Sequence, residues 1–115
     1  MSEIRGVTRF KFHEGKVEEF KRVSAQVVDV TRAKDTGTLQ FEIDFNDDQS
    51  ECVVYERYRD SQAVIEHAAH VGDLMKGIFA TGLVVSSELL GEPSAGLIAM
   101  MAGGGPPLFR PFLSL

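Results

Sequence analysis

The 115-residue chain has no tryptophan, one cysteine and four prolines, and each scarcity excludes something. A lone cysteine cannot form an internal disulfide. Cys52, set in the apolar run Cys52-Val53-Val54-Tyr55, therefore reads as a buried strand residue in a reducing compartment. No block of Lys or Arg occurs and the formal net charge is -5, so a basic footprint for nucleic acid is missing. No run approaches the ~20 apolar residues that a membrane-spanning helix needs. The opening MSEIRGVTRF is charged and lacks the apolar core of a signal peptide, so the expected address is the cytoplasm.

What is present is a chain of 43% hydrophobic residues, which suits one small globular domain with limited capacity to bury surface alone. From Ile4 to Phe12 the residues alternate, with Ile4, Gly6, Thr8, Phe10 and Phe12 on one side and Arg5, Val7, Arg9 and Lys11 on the other, the period of a strand. Val17, Phe20, Val23, Val27 and Val30 then recur at helical steps until Lys34-Asp35-Thr36-Gly37 interrupts them. Leu39, Phe41, Ile43 and Phe45 alternate with Gln40, Glu42 and Asp44. A polar turn at Asn46 to Ser50 leads to a second strand from Glu51 to Arg59, so the pair predicts a hairpin. Asp60-Ser61 caps a helix that ends near Ala80, and Leu83 to Leu90 is a last strand.

The order β-α-β-β-α-β predicts an α+β, ferredoxin-like fold, in which a four-stranded antiparallel sheet carries two helices on one face. Its other face has no helix to cover it. The domain spans residues 1–92. Residues 93–115 form a tail with Gly103-Gly104-Gly105-Pro106-Pro107 at its middle and apolar residues on both sides. A solvated tail is normally polar, so this one is expected to pack against a partner subunit, as an added strand or short helix.

Two of the chain's three histidines, His67 and His70, lie three residues apart on the second helix. The stripe Val64, Ala68, Val71, Met75, Ile78 and Phe79 faces the sheet. His67 falls at its edge, and His70 falls farther round, toward water. His67 has two readings: a rim residue bonded to backbone or water, or a general acid or base at a cavity mouth, since imidazole titrates near ~6.5. A metal site would need a third ligand from His13, an acid or Cys52, and no spacing completes such a set. Ser86-Ser87 lacks a Gly-x-Ser-x-Gly turn, and Gly103 to Gly105 leads into prolines instead of a helix, so neither a serine hydrolase nor a phosphate cradle is indicated.

The stretches RFKFHEGKVEEF and YERYRDSQAVIEHAAH, in this order of elements, resemble the antibiotic biosynthesis monooxygenase family of dimeric α+β barrels. Arg9-Phe10, Gly15, Tyr55-Glu56, Tyr58, Asp60, Ala63 and His67 stand at the positions that carry the family's pattern, over roughly residues 4 to 90. The resemblance implies a homodimer in which two open sheet faces pack together, with a small aromatic substrate held between sheet and helices. It implies oxidation of a phenol- or quinol-type substrate by molecular oxygen with no cofactor and no metal. His67 would be the catalytic base, Thr8 with Tyr55 or Tyr58 the polar contacts, and Phe10, Phe12, Phe41 and Ile43 the walls. Thr8, His67 and Gly77 stand where the haem-degrading branch uses Asn, Trp and His, so haem degradation does not fit. Gly72 replaces a second helix histidine found in many relatives. The alternative is a non-catalytic dimeric module of the same fold that binds a small ligand or scaffolds. An open apolar pocket around His67 favours catalysis, and a filled core with His67 bonded to backbone favours the module.

Overall fold

The computed structural model describes residues 2–115. Its elements are β1 (Ile4–Phe12), α1 (Val17–Lys34), β2 (Thr38–Phe45), β3 (Glu51–Tyr58), α2 (Ser61–Phe79), β4 (Gly82–Leu90), α3 (Ala95–Met100) and β5 (Leu108–Phe109). The alternation in β1 is realised: Ile4 and Phe10 are buried against the helices, while Arg9 and Lys11 point outward. The Asp60 side chain accepts a hydrogen bond from the Ala63 amide at 2.9 Å and starts α2, as an N-cap carboxylate should.

The sheet departs from the predicted four antiparallel strands. It has five, in the order β2-β3-β1-β4-β5, and the last pair is parallel, with Leu89 opposite Leu108 and Leu90 opposite Phe109. A third helix is present as well. The physical reason lies in the tail. Ser94 caps α3 by accepting from the Leu97 amide, the glycine-rich turn reverses the chain, and Pro107 O accepts from the Leu89 amide at 3.0 Å. Leu97 is 0% exposed and packs with Ile4, Tyr58, Ala63 and Leu89. Burial of a leucine side chain contributes about 1.5–3 kcal/mol, so this part of the tail finds its apolar partner within its own chain. Phe112, Leu113 and Leu115 are left exposed.

Two β-bulges adjust the pattern. The register between β2 and β3 shifts between Thr38 and Gln40. Leu39 therefore drops out of the apolar row and is exposed, although strict alternation places it with Phe41 and Ile43. The register between β1 and β4 shifts between Arg9 and Phe10, so Val84 opposes Phe10 and Ser87 opposes Thr8. Both side chains then turn to the helix side of the sheet.

The main core gathers Phe10, Phe20, Val23, Val27, Cys52, Val71 and Ile78. Burial pushes the Cys52 thiol up to about 11, which makes it an inert packing residue. Among the described residues, no helix is long and apolar enough to cross a membrane.

Candidate functional site

A cavity of about 590 Å³ lies between the sheet and α2. Phe10, Phe41, Ile43, Val54, Val71 and Met75 give it apolar walls, while Gly105, Pro106 and Pro107 of the tail contribute one side. Phe79 and Val84 line it too and are half exposed, which sets them at its mouth. The helical stripe therefore does not bury Phe79 as its spacing suggests.

Few polar groups enter this space. Thr8 Oγ1 and Ser87 Oγ share a hydrogen bond at 2.9 Å on the sheet wall. His67, Glu56 and Tyr58 form the other polar cluster. The turn after α1 fixes this second group. Asp35 caps the end of α1, its amide donating to Thr31 O at 3.0 Å. The following loop presses against α2 so closely that a Cβ on Gly37 would lie 2.5 Å from Ala63 Cβ. Only glycine permits that approach, and it brings the Asp35 carboxylate beneath two successive turn positions of α2.

His67 Nδ1 lies 2.7 Å from Asp35 Oδ2, and His70 Nδ1 lies 2.6 Å from Asp35 Oδ1. Thr38 Oγ1 donates to Oδ2 at 2.7 Å. An ionised carboxylate only accepts, so both Nδ1 atoms carry hydrogen. His70 is therefore not a freely solvated residue but half-buried and bonded to the same acid as His67; the i, i+3 spacing spans the two carboxylate oxygens. The Asp35 side chain is 2% exposed. Burial alone would raise its pKa, but hydrogen bonds from His70, Thr38 and His67 outweigh this and hold it below the usual value.

With Nδ1 engaged, His67 presents Nε2 toward Glu56, whose Oε1 is 3.7 Å away. Tyr58 donates its hydroxyl to the same Oε1 at 2.6 Å. Burial in the apolar cavity raises the Glu56 carboxyl, only partly offset by the Tyr58 hydrogen bond and by His67. Burial also pushes the Tyr58 phenol up, reinforced by Glu56 and by Asp35.

The structure thus brings together His67, Thr8, Phe10, Phe41, Ile43 and Tyr58. It does not bring Phe12 or Tyr55 to them. Phe12 packs at the end of the core with Phe20 and Phe45, at ring distances of 4.7 and 5.8 Å. Tyr55 opposes Val7 on the open face of the sheet, one residue out of phase with Glu56. Sequence reasoning gave no role in the site to Glu56, although it stands in the family's pattern, or to Asp35. Strand parity could have found the first, since Glu56 shares a face with Cys52, Val54 and Tyr58. Among the described residues, Asp35, Glu66 and His70 bring one donor atom each within 4.8 Å of one another. Asp35 is already engaged by two histidines and Thr38, and Glu66 accepts from the Thr36 amide at 2.8 Å, so the three form a hydrogen-bonded cluster.

The pattern of the family described as "Antibiotic biosynthesis monooxygenase" matches residues 4–72, more than half of the chain. The chain belongs to this family. As a family member it also shares its fold with solved structures at low identity. MupZ from Pseudomonas fluorescens superposes with a TM-score of 0.82 at 20% identity, covering 98% of this chain and 88% of its own. Rv0793 from Mycobacterium tuberculosis gives 0.67 at 21%, covering 80% and 96%. SnoaB, a cofactor-independent oxygenase from Streptomyces nogalater, gives 0.66 at 21%, covering 77% and 91%. No curated protein matches the chain.

Proposed function

We propose that this family member is a cofactor-independent monooxygenase that oxidises a small phenol- or quinol-type aromatic with molecular oxygen. The observation that carries the reading is His67, held through Nδ1 by Asp35 so that Nε2 points to the wall of a largely apolar cavity. Nε2 takes the proton of a bound hydroxyl. The resulting anion is electron-rich enough to pass one electron to oxygen, and the two radicals combine in a new C–O bond. The hydroperoxide then loses water across its own C–H to leave a carbonyl. One oxygen atom ends in the product and the other in water, with no external reductant. Apolar walls keep bulk water from the anion and the radical pair. Thr8 and Ser87 offer a hydrogen-bonding edge opposite the helix. SnoaB, an oxygenase that works without a cofactor, supports the reading by its shared fold. A filled core with His67 on backbone would favour the binding module; the open cavity and the carboxylate partner of His67 support catalysis instead.

The test is oxygen uptake by metal-free protein against a panel of quinols and anthrone-like phenols. Uptake above the rate of autoxidation is expected for at least one of them. None across the panel would overturn the reading in favour of the module.

The working assembly in this proposal is a homodimer in the cytoplasm. Among the described residues no helix covers the sheet face that carries Val7, Val53, Tyr55 and Leu83 among charged side chains; a second copy would cover it. The exposed end of the tail, Phe112 to Leu115, is the part left to touch that copy. Sedimentation should give the dimer mass at micromolar concentration, and a stable monomer there would exclude this assembly.

A further inference from the structure

We propose that Glu56 and His67 form an acid–base couple that also catalyses a non-oxidative reaction in the same cavity, keto–enol proton transfer on a flat ketone with an acidic C–H beside its carbonyl. The inference rests on His67 as the base of that site but not on oxygen. The monooxygenase reading needs only His67, and it leaves unexplained a carboxyl that lines the same cavity as Phe41, Val54 and Val64.

The geometry supplies the argument. His67 Nε2 and Glu56 Oε1 are 3.7 Å apart, too far for a direct hydrogen bond. The two groups therefore face the same cavity without bonding to each other, and with Oε2 as the donating oxygen they can address a carbonyl oxygen and its α-carbon. Oε1 is occupied by the Tyr58 hydroxyl at 2.6 Å, so the acid proton belongs on Oε2. Oε2 faces Gly6, directly opposite in the β1–β3 register, where even an added Cβ would stay 3.5 Å away. Gly6 thus has no side chain to compete for Oε2.

The two groups differ in what they can do. His67 is bonded through Nδ1 to the Asp35 carboxylate, which leaves Nε2 as the position that takes the substrate proton. Glu56 lies in an apolar wall that favours its neutral form, and a neutral carboxyl in such a place donates a hydrogen bond to a developing enolate. In the forward step the substrate C–H breaks and an N–H forms on Nε2. The O–H of Glu56 breaks as an O–H forms on the former carbonyl oxygen. The reverse step returns both protons, and no electron leaves or enters. Washing in deuterium at the α-carbon is the signature of this cycle.

The probe is 2-tetralone, a fused aromatic ketone with acidic α-hydrogens, in deuterated buffer under argon, followed by proton NMR. The wild-type protein is expected to speed α-deuteration at least tenfold over buffer. Glu56→Gln, which keeps an acceptor for Tyr58 but cannot donate an acid proton, should lose at least tenfold of that rate. Glu56→Asp, which pulls the acid back by one methylene, should also slow it and serves if the glutamine variant does not fold. No exchange above buffer with the wild type, or equal exchange in a folded Glu56 variant, overturns the proposal. Oxygen uptake is read separately in air, so loss of either activity leaves the other to be judged alone.

Discussion

His67→Ala is expected to lower oxygen uptake by about 10²–10⁴-fold, the usual contribution of a positioned general base, while the protein stays folded. The substitution removes Nε2 from the cavity but leaves Asp35 with Thr38 on Oδ2 and His70 on Oδ1. His70→Ala should cost only several-fold, because its ring reaches the other carboxylate oxygen and the Asp35–His67 bond persists. The measurement is initial oxygen consumption at saturating substrate, with circular dichroism as the folding control. Equal losses in the two variants would assign the pair a shared structural role. No loss in either would leave a ligand-binding module.

Asp35→Ala should be the most destabilising of the polar substitutions. Three hydrogen bonds converge on this side chain, from His67, His70 and Thr38, and each loses its acceptor in a shielded place. Hydrogen bonds to a charged group are worth about 1.5–3 kcal/mol, and a single unsatisfied partner costs about as much. Removing a charge whose burial is itself unfavourable offsets part of this sum, and a net loss of ~3 kcal/mol corresponds to roughly 10 °C in Tm for a domain of this size. The pH dependence follows from the lowered pKa. A carboxyl whose pKa is depressed on folding stabilises the native state above its unfolded value and loses that contribution as pH falls through the folded one. The wild-type protein should therefore lose this part of its stability below its ordinary value of 3.8, and Asp35→Ala should show a flatter acid limb in thermal melts. The variant should also turn over more slowly, since His67 would no longer be held with Nδ1 protonated. An unchanged Tm would show that α1 and α2 do not depend on this latch.

The elements were legible because their periods are local. Alternation over Ile4 to Phe12 and the Asp60 cap both depend on neighbours in sequence. His67 stood out by residue type and by its place at the edge of a helical stripe. Asp35 did not, since a carboxylate in the loop after α1 says nothing of a histidine 32 residues later; only the packing of α1 on α2 joins them. Leu39 was misplaced because a bulge is a property of two paired strands and not of one. Tyr55 and Tyr58 could not be separated until the register fixed which of them shares the inward face of Cys52. The tail showed its apolar character plainly but not the surface it would cover, for hydrophobicity has no direction.

The contact between Ile4 and Leu97 has a consequence for how the chain is made. Both residues are 0% exposed, and they meet across nearly the whole length of the sequence. Ile4 belongs to β1, which pairs with both β3 and β4 in the sheet, and its cluster is completed by Ala63, Val64 and Ile65 of α2 together with Leu97, Met101 and Leu108 of the tail. Contacts between such distant segments bear the full entropy of loop closure and form late. Gly105, Pro106 and Pro107 line the cavity, so the chamber gains that wall only when the segment after β4 docks.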